Sequence, residues 1–208
     1  MKAGSILRRV EISPSFLIVL CAYYYFDPGG TFYPFVYAAC SHELGHLLVL
    51  KLLNVPVHKL YLAAGGACLV TAPTGYKKEI LVAAVGPFTN LLLSLLFLHR
   101  QPMFSLMNLG LMMYNLLPFY PLDGGRLLRC VLQLLFKEYD LAIAIERIIC
   151  ICGLTLFWGL GIWLTCFLHE GLWPAVLCGL LTLRITTTVF PVKLIFPNKR
   201  VDKSVHPC

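Results

Sequence analysis

The stretch "YPFVYAACSHELGHLLVLKLL", residues 33–53, decides the fold. It is long and apolar enough to cross a bilayer as one helix, because a span needs about 20 predominantly apolar residues. Within it stand three ionisable side chains, those of His42, Glu43 and His46. An ionisable group at membrane depth costs at least ~2.5 kcal/mol on insertion scales, so such groups are functional by default. The stretch therefore predicts a membrane protein that carries out chemistry inside its helical bundle.

The composition of the whole chain agrees with a membrane protein. Of its 208 residues, 59% are hydrophobic and 13% are charged. Soluble domains are about 45–50% apolar and about 25% charged. The mean hydropathy is +0.78. A chain of this length accommodates about six short spans and leaves no room for a large soluble domain.

Six apolar segments and the distribution of the basic residues predict the topology. With a cytoplasmic amino terminus and six spans, every Lys and Arg except Arg100 and Arg184 falls on the inner side, as the positive-inside rule requires. This asymmetry accounts for the net charge of +7 without nucleic acid as a partner. The first segment is short, and an interfacial helix is the alternative for it. The segments are residues 12–26, 32–53, 80–99, 103–118, 148–168 and 172–192.

Two further stretches break the helical pattern. Residues 56–74 hold β-branched residues around Gly65 and Gly66, which predicts a membrane-associated β-hairpin with a glycine turn. In "NLLPFYPLDGG", residues 115–125, two prolines end or bend the fourth span, and an amphipathic basic helix is expected over residues 123–136. The expected fold is therefore an α-helical polytopic membrane protein with about six transmembrane helices, this hairpin and a proline-broken fourth span.

His42 and His46 are spaced as metal ligands. On a helix, positions i and i+4 lie on one face, so both imidazoles can reach one ion. Glu43 projects beside that face and can act as an acid and base on a water molecule, which is the logic of HExxH zinc hydrolases. The pattern alone is weak, because a pair of core histidines also produces it. Three adjacent polar side chains within a span favour chemistry.

A catalytic zinc site needs a third protein ligand and an open fourth position. Most acidic residues of the chain fall in predicted loops or at the ends of spans, where solvent explains them. Asp123 differs, because it follows the proline break and precedes Gly124 and Gly125, which let backbones approach closely. In the predicted topology, the second and fourth spans both run toward the cytoplasmic side. Asp123 therefore reaches the same half of the bilayer as His46. The alternative role for Asp123 is the N-cap of the next helix.

Four motifs follow one another along residues 30–136: "HELGH", "AAGG", "VGPFTN" and "NLLPFYPLDGG". In this order they resemble the site-2 proteases, the intramembrane zinc metalloproteases. The arrangement of the predicted spans, with one before HELGH and two after LDGG, resembles that of the sporulation subgroup, whose member processes a sigma factor precursor. HExxH together with NxxPxxPLDGG in a polytopic chain is a strong joint signal, and the resemblance covers the membrane core.

The resemblance implies one Zn²⁺ per chain. The ion would be bound by His42, His46 and Asp123, and Glu43 would be the catalytic acid and base. The fold would open this site to the cytoplasm, because peptide hydrolysis needs water and the bilayer interior has none.

The resemblance also implies residues that bind the substrate. Asn115 lies at the family's motif asparagine, where it would hold substrate or the oxyanion; a hydrogen bond between helices is the alternative. A strand of the hairpin around Gly65 and Gly66 would pair with an unwound substrate, and the alternative is that the hairpin only plugs the cavity. Asn90, in the "VGPFTN" motif, is expected to pack between helices.

The expected function is cleavage of membrane-tethered protein substrates at or near the cytoplasmic membrane face. The expected partners are that substrate, the lipid bilayer and a regulatory membrane protein, with no nucleic acid. The expected location is a bacterial inner or forespore membrane, with both termini cytoplasmic. The alternatives are a metal-ion transporter and an inactive scaffold of the same fold. A transporter needs polar access from both sides, whereas the acids and histidines of this chain cluster toward one side.

These segments predict four regions along the chain. An amino-terminal span covers residues 1–30, the catalytic membrane core residues 31–136, two carboxy-terminal spans residues 137–192, and a cytoplasmic tail residues 193–208. Relatives in the sporulation subgroup carry a nucleotide-sensing regulatory domain after the last span. The predicted tail is too short for such a domain, so we expect that form of control to be absent.

Overall fold

The computed structural model describes residues 10–27, 29–64, 66–136 and 139–167, together with residues 178, 179, 181, 182 and 185. Gly65, most of the sixth predicted span and the predicted tail lie outside the described residues. The described elements, in chain order, are β1 (Val10–Ile12), α1 (Pro14–Tyr25), α2 (Phe32–Leu52), β2 (Val57–Ala63), β3 (Gly66–Thr71), α3 (Tyr76–Phe97), α4 (Pro102–Asn115), α5 (Asp123–Phe136) and α6 (Tyr139–Phe167).

The described helices differ in whether they can cross a membrane. By length and composition, Tyr76–Phe97 and Asp140–Cys166 are long and apolar enough to do so. Helix α1 has 12 residues and extends about 18 Å at about 1.5 Å per residue, which is less than the hydrocarbon thickness of about 30 Å. Helix α4 has 14 residues and ends at Asn115, at the start of the predicted break. The mostly helical fold is confirmed, whereas six full spans are not.

A three-stranded sheet consists of β1, which precedes α1, and of β2 and β3, which lie between α2 and α3 along the chain. Strands β2 and β3 pair antiparallel and place Ala63 opposite Gly66, which confirms the predicted hairpin. Gly66 has a φ of 111°, a backbone conformation that glycine adopts without strain. Strand β1, which the sequence analysis did not predict, pairs parallel to β2. A strand of three residues is too short to show an alternating pattern. Its pairing with β2 and the ion pair between Glu11 and Lys59 are among the contacts that hold it in place.

Helix α3 is the centre of the bundle and packs against α2, α4 and α5. Its contact with α2 is close at Gly45 of the HELGH motif, where an added Cβ would lie 2.5 Å from the Oγ1 atom of Thr89. A buried apolar cluster joins the end of α2, the hairpin and the start of α3. This packing holds the histidine face of α2 against α3. The cluster consists of Leu50, Val55, Val57 and Val82.

The segment between α4 and α5 folds back onto the first turn of α5. An added Cβ on Gly124 would lie 2.5 Å from the carbonyl oxygen of Leu117, and one on Gly125 would lie 2.6 Å from that of Phe119. The two glycines of the "LDGG" motif are therefore required by this close contact between backbones. Phe119 also packs in a buried cluster with Cys150 of α6. Helix α5 begins at Asp123 and ends at Phe136, as predicted.

Candidate metal centre

Three side chains from two distant parts of the chain converge beside α3. The Nε2 atom of His42 lies 3.0 Å from the Oδ2 atom of Asp123, and the Nε2 atom of His46 lies 3.2 Å from the same oxygen. The two Nε2 atoms are 3.1 Å apart. The exposed fractions of His42, His46 and Asp123 are 5%, 4% and 5%. The ligand atoms of all three residues lie within 4.8 Å of one another, so the group can hold a metal ion.

The orientation of His46 suits a metal ligand. Its Nδ1–H donates to the carbonyl oxygen of Val82 at 2.8 Å, and that oxygen can only accept. In the neutral imidazole, the Nε2 atom therefore carries the lone pair that points into the group. A ligand histidine whose other ring nitrogen donates to a backbone carbonyl is a recurrent arrangement in metal sites, because it fixes the tautomer and the ring orientation.

The donor set itself indicates a cation. The Nε2 lone pair of His46 faces the carboxylate oxygen of Asp123, and two acceptors at 3.2 Å repel each other unless a proton or a cation lies between them. Two imidazoles and one carboxylate are the ligand types that zinc takes in catalytic sites with three protein ligands. These residues therefore fit a divalent metal of the zinc type.

Gly86 of α3 makes room for the two imidazoles. A Cβ at this position would overlap the Nε2 atom of His46, and it would lie 2.7 Å from the Nε2 atom of His42. The "VGPFTN" motif thus contributes a backbone surface against which the histidine rings lie. The structure thus places Gly86 directly against the nitrogen atoms of the proposed ligands.

Glu43 lies on α2 between the two histidines and is half-buried. Within the described ranges, no hydrogen bond or ion pair joins its carboxylate to another residue. A carboxylate next to the ligand group that is not held by a protein partner can accept and return a proton.

Asp123 uses its second carboxylate oxygen in a separate contact. The Nη1 atom of Arg126 lies 3.4 Å from the Oδ1 atom of Asp123. Arg126 is itself bound by Glu79 of α3. The predicted alternative of a plain N-cap is less suited to Asp123, because its described partners are two imidazoles and a guanidinium.

Arg126 and Glu79 were not among the predicted site residues. Glu79 was grouped with the acidic residues in loops or at the ends of spans, and Arg126 with the basic residues on the inner side of the membrane. The spacing of Arg126 three residues after Asp123 was the available signal, since such residues are neighbours on a helix.

The predicted substrate residues lie in three different environments. The Nδ2 atom of Asn115 donates to the carbonyl oxygen of Leu111, one turn earlier in its own helix, at 3.1 Å. Gly66 begins β3, and Gly65 lies outside the described residues. Asn90 is fully buried on α3, one turn after Gly86, and its amide has no hydrogen-bond partner among the described residues. The roles predicted for Asn115, Gly65 and Gly66 stay predictions.

The fold and this site define a class of protein. The structure is similar to the site-2 protease from Methanocaldococcus jannaschii, with a TM-score of 0.62 at 20% sequence identity, over 91% of this chain and 94% of that one. At this level of identity, the likeness shows the fold. The chain therefore has the fold of a site-2 protease.

Curated relatives agree with that fold. The chain is 31% identical over 111 residues to a zinc metalloprotease from Methanocaldococcus jannaschii, which covers 47% of this chain and 32% of the relative. It is 28% identical over 132 residues to stage IV sporulation protein FB of Bacillus subtilis, which covers 56% of this chain and 46% of the relative. The matches thus span about a third to a half of these relatives. No protein-family profile matches the chain.

These comparisons confirm the resemblance to the site-2 protease family that the four motifs predicted. The sporulation protein among the relatives supports the likeness to the sporulation subgroup.

Proposed function

We propose that this chain is an intramembrane zinc metalloendopeptidase of the site-2 protease type. The observation that carries the proposal is the convergence of His42, His46 and Asp123 into one buried ligand group, with Glu43 beside it on the same helix. One Zn²⁺ per chain would be bound by the two Nε2 atoms and the Oδ2 atom. When bound, zinc supplies Lewis acidity toward water and toward a peptide carbonyl.

Peptide hydrolysis requires two proton transfers, and we assign both to Glu43. Glu43 accepts the proton of the attacking water while the oxygen of that water bonds to the carbonyl carbon. As the C–N bond breaks, Glu43 delivers the proton to the leaving amine. The Asn115 amide is a candidate donor to the oxygen that becomes negative, since side-chain amides serve this purpose in other hydrolases. The Nδ2 atom of Asn115 carries two hydrogens, one of which donates to the carbonyl oxygen of Leu111, so the second is the one for this purpose.

The proposed substrate is a membrane-tethered protein whose helix unwinds before cleavage. Strand β3 is the last strand in the described sheet order β1-β2-β3. Addition of an extended substrate segment to such a strand would hold the scissile bond in an extended form through main-chain hydrogen bonds. Gly66, one of the two predicted substrate glycines, begins this strand. A hairpin that only plugs the cavity remains the alternative.

The membrane setting and the substrate are finer parts of the proposal. We propose a multi-pass protein with cytoplasmic termini and cleavage near the cytoplasmic face, because a six-span topology of this orientation puts every Lys and Arg except Arg100 and Arg184 on the inner side. From the resemblance to the sporulation subgroup, we propose a sigma factor precursor as the substrate class and a bacterial inner or forespore membrane as the location; one relative, from Bacillus subtilis, is a sporulation protein. A regulatory membrane partner also belongs to this proposal.

Glu43→Gln tests the proposed reaction. The variant keeps the shape of the side chain but cannot accept a proton, so we expect cleavage of a tethered reporter to fall by about 10²–10⁴-fold. Zinc content should stay at the wild-type level, because Glu43 is not in the ligand group. Leu44→Gln, at the next position on the exposed side of α2, is a matched control that should cleave normally. Wild-type cleavage by Glu43→Gln would refute the role of Glu43 as the base.

Metal transport is the rival function for the same ligand group. Flux of zinc into proteoliposomes that contain the wild-type protein, without cleavage of the reporter, would favour a transporter. Zinc binding with neither flux nor cleavage would favour an inactive scaffold.

A further inference from the structure

The two carboxylate oxygens of Asp123 have separate partners. Its Oδ2 atom contacts both imidazoles, while its Oδ1 atom accepts from the Nη1 atom of Arg126 at 3.4 Å. Asp123 and Arg126 are three residues apart on α5 and therefore share one helix face. The carboxylate is thereby turned so that a single oxygen faces the histidines.

Arg126 is held in place by a second helix. Its Nε and Nη2 atoms both donate to the Oε1 atom of Glu79, at 3.0 and 2.6 Å. The other carboxylate oxygen of Glu79 accepts from the hydroxyl of Thr74 at 3.0 Å. The guanidinium thus has a fixed orientation, because two of its nitrogens are bound on one side and a third reaches Asp123.

Glu79 belongs to α3, the helix that also contacts the two histidines of the ligand group through Val82 and Gly86. The carbonyl of Val82 orients His46, and Gly86 lies against both rings. The ion pair between Glu79 and Arg126 consequently fixes the start of α5 relative to the helix that positions the histidines. The backbone contacts of Gly124 and Gly125 and the burial of Leu122 also help to locate Asp123.

We propose that Arg126 and Glu79 are positioning residues for the metal ligand Asp123, and this inference rests on the proposed metal site. Arg126 donates a hydrogen bond to the Oδ1 atom of Asp123. The Oδ2 atom is then the one carboxylate oxygen that would bind the ion. Glu79 orients Arg126 and offsets its charge, so the pair brings no net positive charge close to a cation. Partners of this kind commonly account for 10–100-fold in metal affinity.

The test measures zinc affinity of the purified full-length protein in detergent, by competition with a chelator. Arg126→Gln and Glu79→Gln should each bind zinc about 10–100-fold more weakly than the wild type. The two side chains act as a unit. The zinc affinity of the double variant should therefore be no lower than that of the single variant with the lower zinc affinity. The zinc-induced rise in unfolding temperature should shrink as well, since the stabilisation by a ligand increases with the logarithm of its affinity.

Arg129→Gln is the matched control. Arg129 lies one helical turn further along α5 and is bound by both oxygens of Glu146, at 2.7 and 2.9 Å, so its loss removes an ion pair of α5 together with the contact of its guanidinium over the Tyr120 ring. We expect this variant to be less stable but to bind zinc with wild-type affinity. Wild-type zinc affinity of Arg126→Gln overturns the inference, and so does an equal loss of affinity in Arg129→Gln.

The failure of this inference differs from the failure of the proposed function. A wild-type protein that binds zinc through Asp123 but cleaves no tethered reporter refutes the protease and leaves the positioning role intact. A protein that cleaves the reporter and whose Arg126→Gln variant binds zinc normally refutes the positioning role alone. A wild-type protein that binds no zinc refutes both.

Discussion

The Nε2 atom of His46 lies 3.2 Å from the Oδ2 atom of Asp123, although 77 positions separate the two residues. The distance is short because α2 and α5 both pack against α3. His46 is in turn fixed by the Val82 carbonyl of the same helix. The proposed metal site therefore depends on how three helices meet, and changes at their contacts should affect metal binding.

Replacement of any one ligand should abolish stoichiometric metal binding. We expect His42→Ala, His46→Ala and Asp123→Ala each to lower the zinc content from about one ion per chain to about zero, because a tight site needs all three protein ligands. Elemental analysis of the purified variants measures this. Zinc retained by Asp123→Ala would indicate a different third ligand.

Gly86→Ala should damage the site without changing any ligand. The new Cβ would overlap the Nε2 atom of His46, so the rings must move apart and zinc affinity should fall about 10–100-fold. Gly110→Ala is the control, because nothing lies within 4 Å of a Cβ at that position of α4. The control should keep its zinc affinity and gain about 0.5–1 kcal/mol in stability from the better helix former. Equal zinc affinities in the two variants would contradict the contact between Gly86 and the histidines.

Gly124→Ala should disturb the approach of α5 to the preceding segment. Its Cβ would lie 2.5 Å from the carbonyl oxygen of Leu117, and backbone cannot move away as a flexible side chain would. Overpacking of this kind typically costs about 1–3 kcal/mol, and here it also displaces the adjacent ligand Asp123. We expect a lower unfolding temperature together with weaker zinc binding. A variant that loses stability but keeps full zinc affinity would show that the segment adjusts without moving Asp123.

Asp27 should make the start of α2 sensitive to acid. Partial desolvation raises the pKa of the Asp27 carboxyl, but donation from the N–H of Phe32 and the hydroxyl of Thr31 outweighs it and holds the pKa below its usual value. A lowered pKa contributes stability above the unfolded value of about 3.9 and loses it as the pH falls through the folded value. We expect Asp27→Asn to unfold at a lower temperature than the wild type at pH 7.

The same comparison at low pH checks the sign. The gap in unfolding temperature between the wild type and Asp27→Asn should stay constant down to about pH 5 and narrow below about pH 4, as the wild-type carboxyl takes up its proton. Other acid-sensitive groups cancel, since both proteins contain them. A gap that is the same at pH 7 and at pH 3.5 would contradict the role of the charged carboxylate.

Several parts of the fold and the site could be predicted because their causes are local. The four-residue spacing of His42 and His46 places both rings on one helix face whatever surrounds the helix. The two prolines after Asn115 end α4, and α5 begins at Asp123 as predicted. The hairpin followed from its β-branched residues and glycine turn, and it forms with Ala63 opposite Gly66.

Other parts required contacts between residues that are far apart in the chain. Strand β1 has three residues and exists through its pairing with β2, so no local pattern indicates it. Arg126 and Glu79 are 47 positions apart, and each alone has the appearance of a charge at the edge of a span. Their meeting depends on the packing of α5 against α3.

By itself, the sequence determined the ligand types, the helix that carries two of them and the break that presents the third, because spacing and proline geometry act within a few residues. Only the tertiary structure decided that Oδ2 of Asp123 faces both imidazoles, that Gly86 lies against their rings and that Arg126 occupies Oδ1. These relations depend on the packing of α2 and α5 against α3, and close packing is a property of the whole bundle.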